Sequence, residues 1–263
     1  MIELFINLNP VLQALIACLF TWSVTALGAA LVVFFKKVNK NILDAMLGFS
    51  AGVMIAASFW SLLSPAINLA ETLKMNVMMV VTISFILGGL LLFLGDKIFN
   101  KLELENKDNN IKKSIMLISS ITLHNIPEGL AVGVAFGTIA YGLEGATLTS
   151  ACLLALGIGI QNFPEGTAVS VPLRKYGLSR KKSFFYGQLS AIVEPISGII
   201  GAILALKIRT LLPFLLSFAA GAMIYVVVAE LIPESQSNKR KDLMAMFTII
   251  GFSLMMVLDV MLG

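Results

Sequence analysis

The sequence predicts an all-α polytopic membrane protein with eight transmembrane helices in an inverted 3+2+3 repeat. Three observations carry that expectation. The first is composition. Of 263 residues, 58% are hydrophobic and 13% charged, with a mean hydropathy of +0.92. A soluble domain would carry about 25% charge. The second is the length of the apolar runs, which are too long and too continuous for alternating barrel strands. The third is internal repetition, found twice. The whole chain, 1–263, then forms one transmembrane domain.

In chain order, the eight spans fall at about 8–35, 42–66, 75–97, 113–138, 144–172, 183–206, 211–233 and 242–262. No basic region precedes the first, so it reads as a span and not as a cleavable signal. Basic residues cluster in alternate loops. Lys36, Lys37 and Lys40 follow the first span; Lys97, Lys101, Lys107, Lys112 and Lys113 follow the third. Arg174, Lys175, Arg180, Lys181 and Lys182 follow the fifth; Lys239, Arg240 and Lys241 follow the seventh. That is sixteen of the nineteen basic residues, against Lys74, Lys207 and Arg209 on the other side. The positive-inside rule puts the odd-to-even loops in the cytoplasm and both termini outside, in a multi-pass protein of the plasma membrane. The stretch 98–112 (FNKLELENKDNNIKK) reads as a flexible cytoplasmic connection and holds no histidine. The net charge of +4 and pI of about 9.1 come from these loops and do not indicate nucleic acid. Cys18 and Cys152 stand alone in apolar segments, as packing residues would.

The first repeat is the more specific. Leu123–Val134 (LHNIPEGLAVGV) recurs as Ile160–Val171 (IQNFPEGTAVSV). Seven of eleven positions agree between His124–Val134 and Gln161–Val171. The second matches Leu47–Leu62 with Leu216–Leu231 at seven of sixteen positions. The repeated segments fall on the fourth and fifth spans and on the second and seventh, so each pair runs in opposite directions. Spans one to three then mirror six to eight, and four mirrors five. Inverted repeats with discontinuous helices and a midplane site are a mark of secondary transporters. Small-residue packing patterns recurring in apolar sequence would explain the second match but not the first.

Ionisable groups deep in a bilayer cost at least about 2.5–3.5 kcal/mol each. Glu128, Glu165, Glu194, Glu230 and Asp259 are the candidates. His124 and Gln161 each precede a glutamate by four residues, on the same helix face. Pro127 and Pro164 each remove one backbone bond, freeing the carbonyls of Leu123 and Ile160; Pro195 does the same for Ala191, beside Glu194. No Lys or Arg lies at the depth of Glu128 and Glu165, so a cation or a proton is the available partner. Asn125 and Asn162 either add amide oxygens or hydrogen-bond between helices. Glu230 and Asp259 sit near span ends and read as interfacial. Imidazole, carboxylate and amide oxygen together suit Zn²⁺, Fe²⁺ and Mn²⁺, in a more labile site than a structural zinc site of Cys and His.

HNIPEG followed by QNFPEG, and then VEP on the next span, resembles the ZIP (Zrt/Irt-like protein) family of divalent-metal transporters, most closely its GufA-type branch. The resemblance covers all eight spans. It implies a binuclear metal centre on the fourth and fifth spans. His124, Glu128, Gln161 and Glu165 would form one metal site. Asn125, Asn162 and Glu194, with Glu128 and Glu165 as bridges, would form the second. Met54 would line the first, and Glu230 would match a carboxylate on the inner exit route. Many relatives carry Asp where this chain has Asn162, which leaves the second site short of charge. The resemblance also implies transport into the cytoplasm.

The expected partners are divalent metal ions and the lipid bilayer, with a homodimer as a candidate assembly and no nucleic acid. No prosthetic group is expected. The metal is cargo: zinc foremost, with iron, manganese, cobalt and cadmium as further candidates. A divalent-cation channel is the competing reading. A membrane metalloprotease is not expected, because one histidine cannot supply an H-E-x-x-H metal set.

Overall fold

The computed structural model describes residues 5–34, 39–101, 109–142 and 146–262. Among the described residues the regular structure is all helical. Helix α1 spans Pro10–Phe34. Helix α2 runs Lys40–Ala57, passes through a π-helical segment at Ser58–Leu63 and ends as Ser64–Thr72. Helices α3 (Val77–Lys101), α4 (Asn109–Thr138) and α5 (Leu148–Lys175) follow. The sixth apolar segment is two helices, α6a (Arg180–Leu189) and α6b (Val193–Lys207). Helix α7 runs Leu212–Val226, with a π-helical segment at Val227–Leu231 and a final stretch Ile232–Gln236. Helix α8 spans Lys241–Leu262.

Six of these segments, α1, α2, α3, α6, α7 and α8, are long and apolar enough to cross a membrane. Together with the helical content they mark a multi-pass integral membrane protein. Helices α4 and α5 are long but carry more polar residues, and they fall outside the six.

Local chemistry accounts for several boundaries. Thr147 and Ser150 form a reciprocal capping box at the start of α5. Asn39 caps α2 by accepting from the Asn41 N–H at 2.9 Å, and Ser179 caps α6a by accepting from the Lys182 N–H at 3.3 Å. Gly177, at φ +99°, allows the chain to turn after α5. The second segment continues to Thr72, beyond the end expected at about residue 66. Pro65 sits in the first turn after the π segment, where its missing N–H removes little.

Two expectations about broken helices are corrected. Helices α4 and α5 run without interruption through Pro127 and Pro164, so the fourth and fifth segments are not discontinuous. A single missing N–H is absorbed when the flanking turns are packed by neighbours. The sixth segment does break, at residues 190–192, ahead of Glu194. There the Ala191 carbonyl is not free, because the Glu194 N–H donates to it at 3.1 Å. The polar connection expected at 98–112 is helical as far as Lys101 and again from Asn109; residues 102–108, like Glu144 at the start of the fifth segment, lie outside the described residues.

The helices pack in two sets. α4 pairs most extensively with α6b, α1 with α5, α2 with α8, and α3 with α7. The set α1/α4/α5/α6 meets the set α2/α3/α7/α8 mainly where α2 crosses α5 and α7 crosses α4. The α4–α6b seam is close because Gly129 and Gly133 lie on one face. A Cβ on Gly129 would sit 2.3 Å from the Glu194 carbonyl oxygen, and one on Gly133 would sit 2.0 Å from that of Gly198. This seam sets Glu194 against the helix that carries His124 and Glu128. Both cysteines are free: Cys18 is buried and Cys152 exposed.

Candidate metal centre

All eight residues singled out in the sequence, His124, Asn125, Glu128, Gln161, Asn162, Glu165, Glu194 and Met54, are buried, none more than 4% exposed. Seven are polar, and no lysine or arginine reaches them among the described residues.

The hydrogen bonds divide the polar residues into two linked groups. The Gln161 side-chain N–H donates to Glu128 Oε1 at 2.6 Å, tying α5 to α4. The Asn162 side-chain N–H donates to both oxygens of Glu194, at 2.9 and 3.1 Å, and lies 3.3 Å from the Thr21 carbonyl. Thr21 Oγ1 also donates to Glu194 Oε2. Glu165 accepts no hydrogen bond among the described residues, and it lies within electrostatic reach of His124, Glu128 and Glu194. Asn125 donates to the Ser190 carbonyl at 3.1 Å, satisfying one of the groups exposed by the break in the sixth segment. The two asparagines thus do part of what the helix-bonding reading expected, using their N–H groups and keeping their oxygens spare.

Those spare atoms are the main finding at the site. Among the described residues, twelve buried side-chain N or O atoms have no hydrogen-bond partner. Seven belong to this cluster: His124 Nδ1 and Nε2, Asn125 Oδ1, Glu128 Oε2, Gln161 Oε1, Asn162 Oδ1 and Glu165 Oε1. A buried group left unpaired costs about 1–3 kcal/mol. The six residues lie on the facing helices α4 and α5. Every one of these atoms except a protonated imidazole nitrogen offers a lone pair, which a hydrogen-bond donor, a proton or a cation can meet.

Met54 is placed less directly. It is fully buried one turn after Ser50, whose hydroxyl donates to the Gln161 backbone carbonyl at 2.9 Å. That contact sets α2 against the Gln161 turn but does not by itself bring the thioether to the acids.

The structure draws Glu230 to His124 and adds Asp96, Ser120 and Tyr225, which the sequence reading did not single out. His124 Nε2 lies 3.1 Å from Glu230 Oε1, in ion-pair range but out of line for a hydrogen bond. Ser120 Oγ donates to the same Glu230 oxygen at 2.8 Å, and Tyr225 OH donates to Asp96 Oδ2 at 3.1 Å. Ligand atoms of Asp96, His124 and Glu230 all lie within 4.8 Å of one another. Glu230 is therefore not merely interfacial, and Asp96 had not been singled out at all. A signal for this cluster was present: Ser120 precedes His124 by four residues, extending the polar face of α4 by one turn. Asp259 is half-buried, accepts from Ser61 Oγ at 2.7 Å, and lines a cavity of about 180 Å³ with Asn68, Thr138 and Ser150.

A family model described as "ZIP Zinc transporter" matches residues 101–259. The chain is 39% identical to "Zinc transporter ZIP11" of Xenopus tropicalis, over 97% of this chain and 98% of that protein. It is 35% identical to "Zinc transporter ZIPB" of Bordetella bronchiseptica, over 92% of this chain and 79% of the relative. It is 33% identical to "Zinc transporter GufA" of Myxococcus xanthus, over 95% and 98%. On the paired N-x-P-E-G helices, the six apolar segments and these similarities, the chain belongs to the ZIP zinc transporter family.

Proposed function

We propose that this protein is a secondary transporter of divalent transition-metal cations, zinc foremost and iron or manganese besides, which moves them into the cytoplasm through a midplane site on α4, α5 and α6b. The observation that carries the reading is the set of seven buried, unpartnered side-chain atoms around Glu128 and Glu165, at least five of them oxygens with free lone pairs. A carrier needs ligands that hold a cation well enough to desolvate it and loosely enough to release it. Carboxylate and amide oxygens with one imidazole meet that need better than a thiolate set.

His124, Glu128, Gln161 and Glu165 would hold one metal; Asn125, Asn162 and Glu194, sharing Glu128 and Glu165, would hold a second; Met54 would line the first. His124 also faces Glu230 and Asp96, so a metal leaving the centre meets another set of acids within one side chain's reach. The Asp259 cavity lies toward the other end of α8 from the basic residues at 239–241, as an outer mouth would. The chain acts as one transmembrane domain of the plasma membrane, and a homodimer remains the candidate assembly.

The eight-span, inverted layout is part of this reading. α4 and α5, at 30 and 28 residues, are roughly 45 and 42 Å long, enough to cross a hydrocarbon core of about 30 Å. Matched contacts support the repeat. A Cβ on Gly52 would lie 1.9 Å from the Thr248 carbonyl oxygen, and one on its counterpart Gly221 would lie 1.9 Å from that of Phe85. Both matched segments also carry a π-helical stretch, at Ser58–Leu63 and Val227–Leu231.

The test is zinc uptake into proteoliposomes, with a panel of divalent metals and Glu128→Ala as control. Saturable uptake, lowered on the order of 100-fold by the substitution, is expected. Uptake that rises without saturation would point to a channel, and no uptake of any metal would sink the proposal. For orientation, single cysteines labelled from outside should react at Glu144 and not at Asn109; the reverse would invert the topology.

A further inference from the structure

Where α1 ends and α6a begins, a cleft of about 750 Å³ opens on the flank of the helix bundle. Val33 and Phe34 of α1 and Phe185 and Tyr186 of α6a line it, together with Lys181 and Lys182. Phe34 and Phe185 are 77% and 52% exposed, so the walls are hydrocarbon that the protein leaves uncovered. The rings of Phe185 and Tyr186 stand edge to face, 5.5 Å apart, giving the wall a fixed shape.

The charge around this cleft is of one sign. No acidic residue occurs anywhere from Gly166 to Val193, while that stretch holds Arg174, Lys175, Arg180, Lys181 and Lys182. Helix α1 carries no charge from Pro10 to Phe34. Arg180 is engaged locally, its guanidinium donating to the Val33 carbonyl at 3.3 Å and tying the two walls together. Among the described residues, Lys181 and Lys182 form no ion pair. An apolar cleft with two uncommitted cations at one place on its wall matches a molecule with a long hydrocarbon part and one anionic end. A soluble anion would leave the hydrocarbon walls unused, and a zwitterionic lipid would bring its own cation to the lysines.

We propose that this cleft binds one anionic glycerophospholipid, its acyl chain against Val33, Phe34, Phe185 and Tyr186 and its phosphate at Lys181 and Lys182. Basic pockets between transmembrane helices are a recurrent way of holding anionic head groups, and tyrosine suits the depth at which a head group meets its chain. The lipid would brace α6a against α1, where the Trp22 indole N–H already donates to the Gln188 carbonyl at 2.8 Å, in the last turn of α6a just before the break that leads to Glu194. Assignment to the cytoplasmic leaflet rests on the topology proposed above; the binding does not.

Native mass spectrometry of the purified full chain in detergent tests this independently of orientation and of transport. Titration with phosphatidylglycerol should give one retained lipid, held at least about ten-fold more tightly than phosphatidylcholine. At about one head-group interaction per lysine, Lys181→Gln with Lys182→Gln should weaken retention about 30-fold. Lys239→Gln with Lys241→Gln, on another basic loop, should change it less than about two-fold. Phe34→Ser, at a position 77% exposed, should weaken it several-fold. Zinc binding by the same samples, unchanged, would show that the variants are folded. Equal retention of the two lipids would overturn the proposal. So would equal loss from the cleft and control lysine pairs, indifference to Phe34→Ser, or displacement of the lipid by millimolar inorganic phosphate.

Discussion

Helices α3 and α8 and helices α4 and α5 solve opposite problems. The most apolar stretches of α3 and α8 are each only 17% buried within the protein, so most of their surface is left for lipid. α4 and α5 are less apolar and fall outside the six segments that qualify as spans by composition, yet they hold His124, Asn125, Glu128, Gln161, Asn162 and Glu165, all buried. The lesson is that, in these two pairs, hydropathy and buried polar side chains are distributed inversely. A helix facing lipid must be apolar because hydrocarbon offers its side chains no hydrogen bonds. A helix enclosed by others can carry polar groups, provided that its neighbours or a bound ion complete them. The helices least like membrane spans therefore hold most of the proposed metal ligands, with Glu194 on α6b beside them.

The sharpest way to break this contrast is to delete polar ligands on one pair and apolar side chains on the other. Glu128→Ala or Glu165→Ala should lower zinc uptake on the order of 100-fold. Leu90→Ala on α3 or Ile250→Ala on α8, both at exposed positions, should stay within about two-fold. Comparable losses in both pairs, measured as initial rates in proteoliposomes, would remove the distinction.

Packing gives a second test. Gly129→Ala places a Cβ 2.2 Å from Ser197 Oγ and 2.3 Å from the Glu194 carbonyl oxygen, and should cost about 1–3 kcal/mol or more. Gly89→Ala on α3 meets nothing nearer than the Gly221 carbonyl at 3.5 Å, and should be neutral or slightly stabilising, since alanine is the better helix former. Thermal unfolding of the two variants in detergent compares them directly.

Within the centre, His124→Ala should weaken zinc about ten-fold more than manganese, because imidazole suits the softer ion. Equal loss in competition binding would reduce His124 to a helix-positioning role. Protons compete for the same lone pairs. A metal must displace any proton held by its ligands, so zinc affinity falls as pH is lowered, by about ten-fold per pH unit for each proton displaced. Glu128→Gln, with no exchangeable carboxyl proton, should flatten that slope; a zinc affinity independent of pH in the wild type would refute the competition.

The smallest expected effect is one of stoichiometry. Asn162 clamps Glu194 through its amide N–H group, which partly satisfies the carboxylate without adding charge. One metal should therefore dominate in the wild type. Asn162→Asp would set a second carboxylate against Glu194, a repulsion that a second cation relieves, and occupancy should rise toward two per chain. Elemental analysis reading two tightly held metals in the wild type would show that the amide oxygen is ligand enough.

What the sequence determined by itself is what depends on neighbours along the chain. Helical spacing put His124 with Glu128 and Gln161 with Glu165, because residues four apart share a face whatever the fold. The apolar runs located the helices to within a few residues, except at the end of the second segment, which runs on to Thr72. Only the tertiary structure decided the relations between distant segments. It brought Glu230 and Asp96 to His124, gave the amide hydrogens of Gln161 and Asn162 to Glu128 and Glu194, and put the sixth-segment break before Glu194 and not at the prolines of α4 and α5. A proline states that one hydrogen bond is missing. Whether the helix then breaks depends on what packs around the gap, and that is a property of the assembled bundle.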